Sequence, residues 1–259
     1  MSPRPPGNGL GDFREASEPC YVGAMENASP EERGAPVSRR APRDVRRLQL
    51  VEATIAVLAR RGFSALTIAD VARQAGLSLG IVNFYFDSKE RLLAECLRHL
   101  AEAYRQTWMA AMAAAGPDPA RRLEAMMLAD FDPAASTPER LAAWIAFWGE
   151  TQGRPTYDEI CAAFDAERLA AAAALCRDLV TAGAYPIDAG LAARTLEALG
   201  DGLWYGMVNT AGKAQDGGAE AARRSVRLAL AALFPNHFKA PGPSPDADQL
   251  PLSQRSETR

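Results

Sequence analysis

Apolar side chains recur every three or four positions along most of this 259-residue chain, which is the spacing of helices that bury one face. In the first such segment Leu48, Val51, Ile55 and Leu58 share one face, and Gly62 follows where a helix end favours glycine. No segment shows a clear alternation of apolar and polar positions, the mark of a β-strand. The pattern therefore predicts an all-α fold, with later helices at residues 89–114, 119–131, 137–151, 155–182, 187–212 and 217–233.

Two shorter helices are predicted between the first helix and the long helix that begins near residue 89. Thr67 and Asp70 form a capping box at the start of one, and the other covers about residues 79–85. The turn between them contains Gly76, which tolerates positive φ. This arrangement is a helix-turn-helix, whose second helix enters the major groove in DNA-binding proteins. Three-helix heads of this kind also occur in proteins that do not bind DNA, so the spacing alone leaves both interpretations open.

Charge is distributed unevenly along the chain. The formal net charge is −3, yet residues 39–91 contain ten Lys or Arg against five Asp or Glu, a local excess of +5. Seven of the ten basic residues lie within residues 39–61, next to the predicted helix-turn-helix. A basic segment in an otherwise acidic chain indicates a surface that meets a polyanion, so the charge pattern favours DNA binding.

The first residues of the second helix in the motif are expected to face the DNA bases. Asn83 is the polar side chain there that can pair bidentately with a base, preferably adenine, while Leu79 or Ile81 would touch a thymine methyl. Gly80 lets the helix approach the groove closely, because it carries no side chain. Phosphate contacts are expected from Thr67, Tyr85 and Lys89, and the remaining candidate DNA contacts are Arg46, Arg47, Ser78 and Phe84.

Both ends of the chain lack helical periodicity. Residues 1–42 are rich in Pro and Gly, and the residues after 234 contain five Pro, a composition typical of disorder. Met25 is an alternative start of translation that the sequence leaves open. We therefore predict a disordered leader (1–42), a helix-turn-helix DNA-binding domain (43–90), a helical ligand-binding and dimerisation domain (91–234) and a disordered tail (235–259).

Composition and motifs exclude several classes of protein. No run of about eighteen apolar residues is present, so no membrane-spanning helix is expected, and the N-terminus has no apolar stretch typical of a secretory signal. The four widely spaced cysteines, without a CxxC pair, favour a cytoplasmic protein with reduced thiols. Cys96 and His99 share a helix face without an evident third ligand, so no metal or cofactor is predicted. Catalytic motifs are lacking and histidines are few, so an enzyme is not expected.

The segment from Thr67 to Leu93, TIADVARQAGLSLGIVNFYFDSKERLL, resembles the DNA-binding signature of the TetR family of transcriptional regulators. The similarity covers about residues 45–95 and includes the capped helix, the Ala-Gly-Leu-Ser turn and the Ser-Lys-Glu sequence that follows. It implies a homodimer, a palindromic double-stranded DNA operator and a helical ligand pocket behind the head. Leu79 stands where many members have Lys or Arg, and IVNF replaces the frequent TLYY, so the resemblance does not imply the operator sequence.

Aromatic residues recur at helical spacing in the predicted ligand-binding domain. Trp144, Phe147 and Trp148 lie at i, i+3 and i+4, and the segment DGLWY repeats this spacing with a carboxylate and two aromatics. These two patterns, with an Arg168-bearing helix between them, resemble the BetI-like, choline-responsive branch of the family over about residues 130–212. A quaternary amine would suit aromatic faces, because it has no N–H to donate. The candidate ligand-binding residues are Trp108, Trp144, Phe147, Trp148, Asp201, Trp204 and Tyr205.

An aromatic stripe at helical spacing is also what a bundle core requires, so these residues leave two functions open. In the first, the chain is a transcriptional repressor that a small effector, such as a choline-like amine, releases from its operator. In the second, the DNA-binding dimer uses its helical bundle to contact a protein partner. Tryptophan emission separates them, because pocket tryptophans respond to small molecules whereas partner-contact tryptophans are open to quenchers in the free dimer.

Overall fold

The computed structural model describes residues 42–132, 137–151, 153–210 and 217–242. Within these ranges every regular element is a helix, which confirms the predicted all-α class. The helices lie close to their predicted bounds, although the end of the fifth is a separate 3-10 turn, Ala129–Phe131. They are α1 (Arg43–Ala65), α2 (Ile68–Ala75), α3 (Leu79–Tyr85), α4 (Lys89–Ala114), α5 (Pro119–Leu128), α6 (Pro138–Thr151), α7 (Pro155–Gly183), α8 (Ala189–Thr210) and α9 (Gly217–Leu233).

Local capping signals fix the helices of the head, by which we mean α1, α2 and α3. The Thr67 hydroxyl oxygen accepts from the backbone N–H of Asp70 at 3.2 Å, as the capping box predicts. Gly76 ends α2 in the left-handed conformation, with φ of 66°. Gly62 also has a positive φ, 74°, but a further turn of α1 follows it, so it kinks the helix rather than ending it. Ser78, the residue before α3, makes no side-chain capping bond.

Apolar side chains form two cores along the described chain. The first lies under the head and is built from α1 to α4, with Phe147 and Tyr157 added from later helices. The second lies within the bundle formed by α4, α5 and α7 to α9, around residues such as Leu123, Met126 and Phe131. Because α4 contributes to both cores, it runs continuously from the head into the bundle.

Helix α6 provides a second, broader connection between the head and the bundle. It packs on α1 more extensively than any other pair of described helices pack together. Ala143 and Phe147 face α1 and are fully buried in the first core. Trp144 and Trp148 lie on another face of the same helix, which contacts α4 and α8. A single helix therefore contacts the head on one side and the bundle on the other.

The C-terminal segment extends the packed chain beyond its predicted end. Composition predicts disorder from residue 235, yet Phe238 packs against the bundle core and His237 Nδ1 lies 2.8 Å from the Tyr185 hydroxyl. The packed structure therefore continues past residue 234, because an aromatic residue and a histidine find partners that composition does not reveal. The predicted leader up to residue 41, with Met25, and the tail after residue 242 lie outside the described residues.

Candidate functional sites

Helix α3 presents the predicted base-contacting residues to solvent. Val82 is fully buried and anchors the helix, whereas Leu79, Asn83 and Phe84 are exposed, with 72% of Phe84 accessible. A Cβ built on Gly80 would meet only the Ser78 hydroxyl, at 3.9 Å, so this part of α3 is open. Ser78, Gly80 and Thr67, the N-cap of α2, are exposed, whereas Ile81 and Tyr85 are half-buried. The surface is thus accessible to a groove, and its base contacts stay a prediction.

The two arginines predicted to contact DNA have partners within the protein, and their DNA contacts stay predictions. The Arg46 side chain is buried and donates to Gln49 Oε1 at 2.7 Å. Arg47 Nε donates to Glu95 Oε1 at 3.0 Å, and the guanidinium lies 5.0 Å from the centroid of the Phe86 ring. The pKa of Glu95 is lowered, mainly by this hydrogen bond from Arg47. Sequence reasoning counted these arginines as surface charge, but long side chains that start on α1 can fold back onto neighbouring helices.

Lys89 likewise has a structural partner rather than a free ammonium. Its Nζ donates to the backbone oxygens of Leu66, at 2.6 Å, and Phe63, at 3.4 Å. These carbonyls lie at the C-terminal end of α1, where backbone acceptors have no partner within the helix. The ammonium also lies 5.7 Å from the Phe63 ring centroid. The geometry therefore assigns Lys89 a role in capping α1, and its phosphate contact stays a prediction.

A cavity of about 490 Å³ lies between α4, α6, α7 and α8. Four predicted ligand residues line it, namely Trp144, Trp148, Asp201 and Trp204. The Trp148 and Trp204 ring centroids are 5.0 Å apart, and those of Trp144 and Trp148 are 6.5 Å apart. Tyr104, which the sequence pattern did not single out, continues this row at 6.4 Å from Trp144. We call this space the aromatic cavity.

Three other predicted ligand residues lie outside the aromatic cavity. Trp108 is buried in the bundle core, and Tyr205 is 54% exposed on the outer face of α8. Phe147 is fully buried against Phe63 and Tyr157, with ring centroids 6.1 and 5.6 Å away. Helical spacing shows that residues share one side of a helix but not which neighbour that side meets, so it did not indicate that these three lie outside the cavity. Their contact with a ligand stays a prediction.

A buried arginine is among the residues that line the aromatic cavity. Arg168 is 4% exposed; its Nη2 donates to Asp130 Oδ2 at 2.9 Å, and its Nε donates to Glu197 Oε2 at 2.8 Å. The guanidinium also lies 5.1 Å from the Tyr104 ring centroid, and the Tyr104 hydroxyl donates to Asp130 at 2.8 Å. Burial raises the pKa of Asp130 to about 6, although Arg168 and Tyr104 oppose the rise. The sequence signal for this cluster was Arg168 itself, a charged residue next to the Ala-rich part of α7.

Negative charge predominates along the lining of the aromatic cavity. Four carboxylates and three guanidinium groups line it, and Arg168 already bridges two of the carboxylates. Burial raises the pKa values of Asp165 and Asp201, and the neighbouring acids raise them further. A cation that entered would relieve this repulsion while contacting the tryptophan faces. The arrangement therefore suits a small positively charged molecule.

The weak metal pair noted in the sequence has other partners. Cys96 donates to the Val51 carbonyl at 3.6 Å, and burial raises the pKa of its thiol far above the usual range. His99 Nε2 lies 2.8 Å from Glu52 Oε1. Across the described ranges no three His, Cys, Asp or Glu side chains gather as metal ligands would. The same residues include no helix that is both long and apolar enough to cross a membrane.

Comparison with known proteins identifies both parts of the chain. Residues 50–96 match the family of bacterial regulatory proteins of the TetR type, and residues 119–235 match the C-terminal domain of BetI-type transcriptional repressors. The transcriptional regulator BetI of Burkholderia thailandensis is 36% identical over 177 residues, a match that covers 62% of this chain and 81% of that protein. BetI of Serratia proteamaculans is 34% identical over 176 residues, covering 62% of this chain and 79% of that protein.

Solved structures show the same fold. A transcriptional regulator from Pseudomonas aeruginosa superimposes with a TM-score of 0.67 at 27% identity, over 77% of this chain and 97% of the other. A regulator from Saccharomonospora viridis, solved in complex with choline, gives a TM-score of 0.62 at 23% identity, over 71% of this chain and 94% of the other. With its two matching domains and its curated relatives, the chain belongs to the TetR family, with a BetI-type C-terminal domain, and is a DNA-binding transcriptional regulator rather than an enzyme.

Proposed function

We propose that this chain represses transcription as a homodimer bound to a palindromic operator, and that a small quaternary amine releases it. The observation that carries the ligand proposal is the aromatic cavity, in which Trp144, Trp148 and Trp204 form a wall beside an excess of carboxylates. The choline complex of the Saccharomonospora viridis regulator supports the same ligand class. Because its target is the chromosome, we place the protein in the cytoplasm.

For DNA, we propose that the exposed face of α3 reads the major groove. Asn83 supplies the bidentate hydrogen-bonding group, and Gly80 leaves room for the groove wall. Leu79 and Phe84 are exposed apolar side chains on this face, which suits contact with thymine methyl groups. Since Arg46, Arg47 and Lys89 have partners within the protein, we propose that backbone contacts depend mainly on the remaining polar groups around α2 and α3.

We expect Asn83→Ala and Lys89→Met to weaken the regulator in different ways. Asn83→Ala should cost about 1–3 kcal/mol of operator binding, at one base position of each half-site. Lys89→Met removes the cap on α1 and should lower the free energy of unfolding by about 1–2 kcal/mol. The salt dependence of DNA binding should stay unchanged in Lys89→Met, because no phosphate contact is lost. Anisotropy titrations on an operator obtained by in vitro selection, with urea unfolding, measure both effects.

Two results would contradict these assignments. Equal losses on operator and random DNA in Asn83→Ala would remove Asn83 from the base contacts. A salt slope reduced by about one in Lys89→Met would restore a phosphate contact for that residue.

The homodimer is proposed to form through α8 and α9. Leu196, Val226 and Leu230 are buried in the chain's own core, whereas Leu191 is 64% and Leu228 is 55% exposed. Exposed leucines on two adjacent helices suit a four-helix interface with the same helices of a second copy. Such a dimer places two heads about one DNA turn apart, or a small multiple of it, on a palindromic site.

We expect light scattering at micromolar concentration to give twice the chain mass of 27.8 kDa. The double variant Leu191→Asp/Leu228→Asp should shift the protein to monomer and abolish tight operator binding, because it buries charge in the interface. Met109→Asp, at an exposed apolar position on α4, is the matched control and should stay dimeric. A wild-type monomer, or a dimer unaffected by the double variant, would disprove this interface.

Choline is expected to change tryptophan emission and to release the operator. Titration with choline, betaine aldehyde and glycine betaine, followed by both signals, tests the effector directly. Trp204→Leu should weaken binding of the active cation by about 0.5–2 kcal/mol, the size of one cation–π contact. Tyr205→Leu is the matched control, since Tyr205 is adjacent in sequence but faces away from the aromatic cavity. If no cation binds at millimolar concentration while an uncharged apolar compound does, the ligand class is wrong.

A further inference from the structure

Phe84, on α3, is the most exposed large apolar side chain among the described residues, with 72% of its surface accessible. Successive residues of an α-helix are turned by about 100°, so Phe84 stands about 160° around α3 from the buried anchor Val82. The Tyr85 ring meets the Phe84 ring edge to face, with centroids 5.3 Å apart, which restricts where the Phe84 ring can lie. An aromatic ring is therefore held on the side of α3 that points away from the core.

Gly80 leaves open space beside this ring. It precedes Phe84 by four positions, so the two residues are neighbours on the same side of the helix. A helical side chain leans toward the N-terminus, which directs Phe84 toward the turn that contains Gly80. Beyond the neighbours of Gly80 in the helix, a Cβ built on it would have only the Ser78 hydroxyl within 4 Å, at 3.9 Å. The space between Gly80 and the Phe84 ring, which we call the notch, therefore admits a group of the size of a methyl.

The polar groups of α3 limit which bases this helix recognises. Its sequence, LGIVNFY, contains no Arg or Lys, the side chains that pair bidentately with guanine. Asn83 suits adenine, but it lies about 100° around the helix from Phe84. The C5-methyl of thymine is the apolar group that base edges present in the major groove. Because the side chains of Phe84 and Gly80 offer no hydrogen bond, a methyl is the group that this part of α3 suits.

We propose that Phe84 and Gly80 form a site for the C5-methyl group of one pyrimidine in each operator half-site. This inference rests on the proposed reading of the major groove by α3 and specifies it, since the ring covers the methyl and the notch receives it. 5-Methylcytosine carries the same methyl at the same ring position as thymine. The site offers no side-chain partner to O4 of thymine or N4 of cytosine, so it accepts both bases. The regulator therefore distinguishes methylated from unmethylated cytosine at this position, as well as thymine from uracil.

Base analogues test this inference on the full-length protein, with an operator obtained by in vitro selection. Each thymine is replaced in turn by uracil at the symmetric positions of both half-sites, which removes only the methyl. Burial of one methyl-sized group corresponds to about fourfold in affinity, so we expect a loss of about 15-fold for the two half-sites at the position that Phe84 contacts. At the same position, an operator with 5-methylcytosine should bind about 15-fold more tightly than the operator with cytosine.

Four variants identify the residues that recognise the methyl. Phe84→Ala should abolish both differences at this position, because the ring that covers the methyl is lost. Gly80→Ala fills the notch with a methyl of the protein, so it should weaken binding of the thymine operator but not of the uracil operator. Asn83→Ala should weaken operator binding but keep both differences. Met109→Ala, at an exposed position on α4, is the matched control and should leave affinity and both differences unchanged. Thermal unfolding verifies that each variant is folded.

The outcomes separate this inference from the proposed function. Equal affinity of wild-type protein for thymine and uracil operators at every position would overturn methyl recognition and leave operator binding standing. Differences that all persist in folded Phe84→Ala would assign the methyl contacts to other residues and would also overturn the inference. If wild-type protein binds no selected DNA more tightly than random DNA, both the inference and the proposed reading of the groove by α3 are overturned.

Discussion

Replacing Arg168 by methionine is expected to lower the free energy of unfolding by about 3–5 kcal/mol. The side chain is 4% exposed and forms ion pairs with Asp130 and Glu197, at 2.9 and 2.8 Å. Methionine fills a similar volume, so the loss comes mainly from two buried carboxylates that no longer share a cation. Urea unfolding followed by circular dichroism measures the effect.

The pH dependence of this loss identifies its origin. Burial already raises the pKa of Asp130 to about 6, and removing Arg168 takes away the main influence that opposes the rise. A carboxyl group whose pKa is higher in the folded than in the unfolded state destabilises the protein fully above the folded pKa, and this cost shrinks as the pH falls from the folded toward the unfolded pKa. The deficit of Arg168→Met should therefore be smaller at pH 5 than at pH 7.5.

Two further variants separate charge from packing. Arg105→Met removes an exposed ion pair with Glu167 and should cost no more than about 1 kcal/mol. The triple variant Arg168→Met/Asp130→Asn/Glu197→Gln should recover much of the lost stability, because no buried charge remains. A loss that does not vary with pH and is not recovered in the triple variant would point to packing instead.

Replacing Phe147 by alanine is expected to cost about 3–5 kcal/mol of stability, since it leaves a cavity in a well-packed core. Phe147 is fully buried between Phe63 of α1 and Tyr157 of α7. Phe84→Ala removes the same atoms from an exposed position and should change stability by less than about 0.5 kcal/mol. Thermal unfolding of the three proteins under the same conditions provides the comparison.

The milder variant Phe147→Leu tests how the ligand affects DNA binding. Helix α6 carries Trp144 and Trp148 on the cavity side and Phe147 on the head side, and it packs extensively on α1. A ligand changes the DNA-binding equilibrium only by as much as its affinity differs between the two states. We expect Phe147→Leu to bind choline within about twofold of wild type but to lose most of the ligand's effect on operator affinity, which in allosteric proteins is typically about 5- to 150-fold.

An unchanged effect of choline in Phe147→Leu would exclude this route. The long helix α4, which also joins the head to the bundle, would then be the connection to test.

The helices and the head were predictable from sequence because their signals act over a few residues. The capping box at Thr67 and the left-handed Gly76 each concern atoms within one turn of helix, and the structure forms both as predicted. The resemblance to the TetR family rested on the order of these signals along the chain. The matches to the TetR and BetI-type families confirm it. The spacing of apolar residues predicted the long helices for the same reason, because a helical period is set by residues within the same helix.

Tertiary structure alone decided which side chains meet. Lys89 caps a carbonyl 23 positions earlier, and Arg168 pairs with carboxylates 38 positions earlier and 29 positions later. The aromatic pattern of α6 divides between two environments, with Trp144 and Trp148 in the aromatic cavity and Phe147 against the head. Helical spacing fixes the angle between such residues on one helix, but the neighbour that each one contacts depends on how the helices pack, and that is determined by residues distant in sequence.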